Sequence, residues 1–412
     1  MQTDQYPHRP LRVLCDLLNG FAFKPKDWSE RGIPIIRIQN LNGGVEFNYY
    51  SKPTPSKYLI ATNTLLFSWS GNRGTSFGPF VWNGPTGLLN QHIFKVTPFA
   101  DIEPRWLYYA LDLARRNAER DAHGGSGLVH VRRDDLLDYT VPCPDPHQQR
   151  RIADILDAAD AAIRQTEAMI AKLRQMKDGL LHDLLTRGLD EQGRLRDPAA
   201  QPEQFKDSPL GRIPKGWTVK RLEELTTRIV DGIHHTPRYV QVGVPFLTVE
   251  NLTSGSTIDF SCCRQVSLSD HNEFSRRANP TPGDVLVTKD GTLGVSRLVR
   301  TGMPEFSIFV SVAMIRPDQH RCRSELIHMF FESGNYEKQL GRLSAGTGLK
   351  HIHLEHFRAF LIATPTVDEQ QRLIQRYEAS TDQLRLEEAY CHKLKLQKRG
   401  LMHDLLTGRV RV

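Results

Sequence analysis

GLLHDLLTRG at residues 179–188 returns as GLMHDLLTGR at residues 400–409, and this repetition decides the architecture. Nearly the same offset recurs upstream of both copies. QQRRI (Gln148 to Ile152) lies against QQRLI (Gln370 to Ile374), and GSGLVHV (Gly125 to Val131) against GTGLKHI (Gly346 to Ile352). LFSWSGNRG (Leu66 to Gly74) then matches LVTKDGTLG (Leu286 to Gly294), and IPIIRIQNL (Ile33 to Leu41) matches VPFLTVENL (Val244 to Leu252). A unit of about 200 residues is therefore written twice, far longer than a solenoid repeat of at most about 50 residues. Such a period reads as a domain with an appendage, duplicated.

The appendages carry the clearest physical signal. From Leu156 a heptad runs with Leu156, Ile163, Ile170, Lys177 and Leu184 at a, and Ala159, Thr166, Leu173 and Leu180 at d. A shift of 221 gives Tyr377, Leu384, Cys391, Lys398 and Leu405 at a, and Ser380, Glu387, Leu394 and Leu401 at d. No glycine or proline interrupts either stretch before Gly179 and Gly400. Two long helices of about 40 residues, roughly 60 Å each, are expected. Each begins acidic (Asp154, Asp157, Asp160, Glu167; Asp368, Glu369, Glu378, Asp382, Glu387, Glu388) and ends basic (Lys172, Arg174, Lys177; Lys393, Lys395, Lys398, Arg399). That order suits each helix dipole by itself. In matched registers it also favours an antiparallel pair, where acid meets base.

Before each helix short β-rich runs alternate with Gly/Asn/Pro turns and close on one helical stretch. The runs are IPIIRIQNL, NTLLFSW and QHIFKVTP with PRWLYYALDLARRNAER, then VPFLTVENL, GDVLVTKD and FVSVAMIRP with SELIHMFFESGNYEKQL. The expected organisation is a mixed α/β (α+β) domain at 1–145, a spacer helix at 146–187, a polar linker at 188–208, a second domain at 209–366 and a second spacer helix at 367–408. The two copies are related by an internal pseudo-twofold repeat and separated by the two long antiparallel coiled-coil helices.

Bulk properties bound the function class. The 412 residues are 39% hydrophobic, with a mean hydropathy of −0.43, and the longest apolar runs fall far short of a membrane span. MQTDQYPHRPLRV has no apolar segment of the signal-peptide kind, and the six cysteines form no CxxC pair. A cytoplasmic protein with reduced thiols and no membrane partner is expected. A net charge of +7 and a pI near 9.1 permit nucleic-acid binding without requiring it.

The chain resembles the specificity (S) subunits of type I restriction-modification systems over essentially its full length. The marks are the phrases NGFAFKPKDW (Asn19 to Trp28) and SPLGRIPKGW (Ser208 to Trp217), a Gly-Ser/Thr-Gly segment late in each domain, and a proline-rich step leading to Gln-Gln-Arg at a long helix. The last are VPCPDPHQQRRI and IATPTVDEQQRLI. The resemblance implies two target-recognition domains, each reading half of a bipartite, asymmetric sequence in double-stranded DNA. It also implies helices that set the unread spacer and dock two modification (methyltransferase) subunits, directing adenine methylation or cleavage. Restriction subunits, ATP-dependent translocase-nucleases, are an optional further partner. No catalysis and no cofactor are implied for this chain; S-adenosylmethionine is expected in the modification subunit.

Base edges demand donors and acceptors and phosphates demand cations, so loop-borne polar and basic residues are the DNA-binding candidates. In the first domain these are Arg37, Gln39, Asn40, Ser70, Asn72, Arg73, Ser126, His130 and Arg132. In the second they are His234, His235, Arg238, Thr248, Asn251, Lys289, Asp290, Thr292, Thr347, Lys350 and His351. Asn40 and Asn251 follow strands and also suit turn capping. His182, Asp183, His403 and Asp404 are candidates for a partner-docking surface. Neighbours on a helix point to different faces, which argues against a metal or catalytic pair. The expected coiled-coil core is Leu156, Ile163, Ile170, Leu173, Leu180, Leu184, Tyr377, Leu384, Leu394, Leu401 and Leu405.

Rival classes lack their motifs. A methyltransferase needs a glycine-rich cofactor loop and an Asn/Asp-Pro-Pro-Tyr/Phe box, whereas Asn279-Pro280-Thr281-Pro282 is only a turn. A nucleotide hydrolase needs a P-loop; GRLSAGTGLK has Thr347 where the phosphate-binding lysine must stand. The alternative is a non-enzymatic coiled-coil adaptor carrying two protein-binding domains.

Overall fold

A computed structural model describes residues 6–53, 55–121, 128–343 and 351–412. They form two compact units, one of residues up to Ala168 with Ala389–Val412, the other Met169–Glu388. Each unit holds one mixed domain and a stretch of both long helices.

Both units build the same central sheet. In the first, antiparallel strands run in the order Cys15–Asn19, Ile93–Pro98, Leu65–Ser68, Gly78–Val81. In the second the order is Thr226–Asp231, Val312–Pro317, Val285–Thr288, Ser296–Leu298. The apolar runs at 65–68 and 285–288 are continuous because both faces of the sheet are covered. Side chains alternate between the faces. Leu65 and Phe67 join the cluster around Trp106 and Leu107 of the helix Pro104–Asp121, while Leu66 packs with Ile36, Ile60 and Leu89 of a second, smaller sheet. Val285 and Val287 likewise join Leu326 and Ile327, and Leu286 joins Leu247 and Ile308. The smaller sheet is mixed in both units, with Ile33–Ile36 parallel to Gly87–Leu89 and Val244–Leu247 parallel to Ser307–Ile308.

The long helices are Pro146–Thr186 and Val367–Thr407, each of 41 residues. They run antiparallel within each unit. In the first, Asp160 pairs with Lys398 at 2.5 Å and Glu167 with Lys395 at 2.7 Å. In the second, Lys177 lies over the Tyr377 ring and Arg174 pairs with Glu388 at 2.6 Å. Ascending numbers on one helix thus meet descending numbers on the other. Burying a leucine is worth about 1.5–3 kcal/mol, an exposed ion pair at most about 1 kcal/mol. The seam therefore supplies the stability and the charges the direction.

The seam departs from the heptad at its ends. Leu156, Ile163, Ile170, Leu173, Leu184, Tyr377, Leu384 and Leu405 are buried, Leu180 and Leu394 are half-buried, and Leu401 is 38% exposed. Over the last turns the inward face belongs to the adjoining domain: Met402, Leu405 and Leu406 enter the first core, and Leu181, Leu184 and Leu185 the second. The expected core position Leu401 is accordingly displaced by its neighbour Met402.

Helix starts correct one alignment. Gln149 is fully buried; its Oε1 accepts from the Glu103 amide (2.9 Å) and its Nε2 donates to the Pro144 carbonyl (2.9 Å). Gln370 repeats this with the Arg323 amide (2.8 Å) and the Pro365 carbonyl (3.1 Å). Gln149 therefore matches Gln370, and Gln148 matches Glu369. The alignment taken from the shared Gln-Gln-Arg string is out of register by one.

Three further expectations are revised. Segment 188–208, read as a linker, is folded onto the second unit: Glu369 is buried and accepts from Arg196 (2.6 Å), the Trp217 indole (3.0 Å) and the Leu189 amide (3.0 Å). SELIHMFFESGNYEKQL is two helices, Ser324–Phe331 and Gly334–Leu343, parted where the Ser333 hydroxyl caps the Phe330 carbonyl. The two tryptophan phrases are not equivalent, since Trp217 is buried just before a strand whereas Trp28 is exposed after one. The strand registers His8↔Pro142 and Val219↔Ala363 place Tyr6 in the position of Trp217.

Candidate functional site

The sequence candidates that come together in the structure do so at one end of each central sheet. In the first unit Leu128–His130 pairs antiparallel with Ser70–Asn72, so that His130 faces Ser70. In the second Asp290 bridges His351. Backbone hydrogen bonds fix the equivalence residue by residue. The Trp69 amide donates to the His92 carbonyl (3.2 Å) and its carbonyl accepts from Val131 (3.0 Å); Lys289 does the same with Ser311 (2.9 Å) and Ile352 (2.8 Å). Trp69 therefore stands where Lys289 stands. The strand pairs Asn19↔Phe94 and Asp231↔Ala313 likewise equate Asn19 with Asp231. Each is followed by a glycine that a Cβ could not replace, Gly20 against the Asn90 carbonyl and Gly232 against the Ile308 carbonyl.

The same frame carries opposite chemistry. In the first unit the Trp69 indole donates to Asn19 Oδ1 (3.1 Å) and the Gln91 carbonyl (2.9 Å), and its ring lies within 5.1–6.3 Å of His92, Phe94 and His130. Burial, then the neighbouring His130, hold the His92 imidazole below its ordinary pKa. This node is neutral and aromatic. In the second unit Asp231 is almost fully buried, with Lys289 Nζ 3.6 Å and His234 Nε2 3.2 Å from its carboxylate, which also accepts from Arg277. Burial alone would raise the Asp231 carboxyl, but the Arg277 and His234 contacts outweigh it and keep the pKa below the ordinary value. Lys289 also approaches Asp290 at 3.9 Å, and Asp290 approaches His351 at 3.5 Å. This node is ionic.

Residues 8–175 match the family described as type I restriction modification DNA specificity domain. The chain is 24% identical over 377 residues to the type I restriction enzyme EcoBI specificity subunit of Escherichia coli, covering 89% of this chain and 77% of that one. It is 23% identical over 390 residues to the MjaVIII specificity subunit of Methanocaldococcus jannaschii, covering 92% and 86%. Along most of its length the chain is similar to type I restriction-modification specificity subunits. Its fold is shared with the crystal structure of the type I S subunit from M. genitalium at a TM-score of 0.58 and 16% identity, over 98% of this chain and 97% of that one.

The other sequence candidates divide by burial. Asn40 and Asn251 are buried caps: Oδ1 accepts from the Arg37 and Thr248 amides (3.0 and 2.9 Å), and Nδ2 donates to the Gly44 and Glu46 carbonyls in one and the Asp259 carbonyl in the other. Their polar groups are spent on the fold, which corrects their place among base contacts. Ser70 is buried, and Lys289 is buried in its ion pairs, so neither presents itself directly. Gln39, Asn72, Arg73, His130, Arg132, His234, His235, Arg238, Thr292 and His351 are exposed. Arg37 is half-buried, bonded to Asn48 (2.8 Å) and stacked 5.2 Å from Trp28, and Thr248 is a half-buried helix cap. Ser126, Thr347 and Lys350 lie outside the described residues.

The repeated helix-end string has a structural explanation. Thr186 and Thr407 each donate to the carbonyl four residues back, at His182 and His403 (2.7 Å), and glycines with φ of +64° and +76° close the helices at Gly188 and Gly408. Asp183 pairs with Arg187 (3.3 Å) and Asp404 with Arg409 (3.6 Å), leaving His182 and His403 exposed. Among the described residues no group of three or more His, Cys, Asp or Glu could hold a metal ion, and no helix is long and apolar enough to cross a membrane.

Sequence reasoning missed Asn19, Trp69, Asp231 and Arg277. An available signal was the Asn-Gly and Asp-Gly dipeptides ending the first strand of each sheet, together with the Trp/Lys mismatch inside an otherwise matched pair of strings.

Proposed function

We propose that this chain is a type I restriction-modification specificity subunit that reads a bipartite, asymmetric sequence in double-stranded DNA, one half through each unit. The long helices set the unread spacer and dock two modification subunits, which carry S-adenosylmethionine and methylate adenine; restriction subunits join the same complex for cleavage. The chain itself is a non-catalytic reader. One observation carries the reading: a single frame is built twice, with backbone registers that match and reading-end side chains that do not. Matched frames suit identical partners, and unmatched ends suit different half-sites.

The test is to express the chain with its modification subunit in a methylation-free host and map modified adenines. One motif with two different halves and a fixed gap is expected. Unmodified DNA from a complex that co-purifies intact would sink the reading and favour a protein-binding adaptor.

A further inference from the structure

We infer that Asp231 anchors Arg277 as a guanine-reading side chain of the second unit, and that Asn19 with Trp69 is the neutral counterpart in the first, where no guanine is read at the matching place. The inference rests on the function proposed above and adds to it the residues that make the two halves differ.

Asp231 is too buried to touch DNA, so its role is to hold something that does. Arg277 ends the helix Leu268–Arg277, where its own carbonyl is fixed by Arg228 (2.6 Å). Its Nε donates to the Asp231 and Gly232 carbonyls (3.2 and 3.0 Å), and its Nη2 bonds the Asp231 carboxylate and lies 2.9 Å from His234. One edge of the guanidinium is thereby pinned. Nη1 has no acceptor among the described residues, and the side chain remains 47% exposed. A guanidinium held through Nε and Nη2 presents Nη1 as a fixed, charged donor, and guanine offers the acceptors O6 and N7 side by side in the major groove. Lysine, a point charge with one nitrogen, cannot keep the Asp231 and Gly232 contacts and present a donor to the base together.

The first unit lacks this device among its described residues. Between its strands Asn48–Tyr50 and Leu65–Ser68 those residues form the single turn Ser56–Tyr58 and the short strand Leu59–Ile60, and no helix equivalent to Leu268–Arg277. The indole of Trp69 fills the place of the Lys289 ammonium, and an amide replaces the anchoring carboxylate. A base meeting that node meets an apolar ring surface and not a fixed cationic donor.

The experiment uses the full chain in complex with its modification subunit. Modified adenines are mapped for the wild type, Arg277→Lys, Asp231→Asn and Trp69→Phe, with thermal melting and co-purification as checks on folding. The expected result is a guanine in one half-site that Arg277→Lys and Asp231→Asn relax to any base. Discrimination at that position should fall roughly 5- to 150-fold, with the other half unchanged. Trp69→Phe should leave that guanine untouched. A uniform fall at every site with the motif intact would assign Arg277 to a phosphate and overturn the inference, as would a motif insensitive to Arg277→Lys. Because Arg277→Lys preserves charge, it decides the matter even if Asp231→Asn fails to fold. Wild-type complexes that leave DNA unmodified would sink the proposed function and this inference with it; a wild-type motif that survives Arg277→Lys sinks the inference alone.

Discussion

The two units differ at the start of the long helices, where both carry the string Gln-Gln-Arg. In the second unit Glu369 is the hub of a sealed junction, receiving Arg196, the Trp217 indole and the Leu189 amide. In the first the equivalent residue is Gln148, half-buried, and the equivalent of Trp217 is Tyr6. Together with Arg9 and Asp145 these line an open cavity of about 520 Å³. One copy of the junction is closed by a buried ion pair, the other is open. The shared string Gln-Gln-Arg hides the difference, because only the second glutamine of the first copy, Gln149, does the same work as Gln370. String identity reports ancestry of the segment, whereas burial and hydrogen bonds report which residue holds which place.

The largest expected effect tests that contrast directly. Glu369→Ala strands a guanidinium that is only 17% exposed, and breaking a buried pair costs about 3–5 kcal/mol. Gln148→Ala removes a side chain with no hydrogen bond among the described residues and should cost less than about 1 kcal/mol. Denaturant unfolding of the full chain measures both. Equal losses would mean that the two junctions are energetically alike despite their chemistry.

A smaller effect distinguishes the units by pH. His328 donates to or accepts from Ser296 Oγ at 2.7 Å, and burial pushes its pKa down to about 4 from 6.5, against the opposing pull of Glu332. Its first-unit counterpart is Tyr108, whose burial pushes the phenol up to about 12 and keeps it neutral. Between pH 6.5 and 4 the unfolded chain takes up a proton at His328 that the folded chain does not, so stability falls as the pH is lowered through that window. The shift corresponds to at most about 3 kcal/mol. Glu332, whose pKa is lowered despite its burial, chiefly by His328 and Lys177, adds a separate loss below its ordinary value of 4.5. Hydrogen exchange resolved by unit should show the second loosening first in mild acid, and His328→Gln should flatten the difference. Equal acid sensitivity in both units after that substitution and before it would place the titrating group elsewhere.

The duplicated frame was legible in the sequence because it is written in local terms: heptads, alternating apolar strands and glycine turns each obey rules that span a few residues. The nodes around Trp69 and Asp231 were less legible. Trp69 and Asn19 are 50 residues apart in the chain. They meet only when two strands pair with the strand Ile93–Pro98. Arg277 reaches Asp231 across 46 residues. Asn40 and Asn251 read as base contacts because a polar residue after a strand has the same spelling whether it faces solvent or caps a turn. The ordered segment 188–208 was opaque for a related reason: polar residues without periodicity fold when a buried Glu369 waits for Arg196, and nothing near Arg196 in sequence announces that partner.

The smallest prediction concerns the charges that the helices share. Lys395 and Glu167 are about half exposed, whereas Lys398 and Asp160 are about one-fifth exposed, with the Lys398 ammonium also 5.4 Å from the Tyr109 ring. A double-mutant cycle on the first pair should give a coupling of about 0.5 kcal/mol that vanishes in 1 M salt, where the screening length is about 3 Å. The second pair, partly shielded from solvent, should retain a measurable coupling in the same salt. If the exposed pair instead coupled by well over about 1 kcal/mol, the ceiling for such pairs, charge and not the apolar seam would be holding the helices together. The imperfect a and d positions, Thr166, Lys177 and Lys398 among them, would then be tolerated because the seam was never the main support. A weak, salt-sensitive coupling leaves the charges with the other task that their order along each helix fits: disfavouring the parallel arrangement, in which acidic starts would face each other.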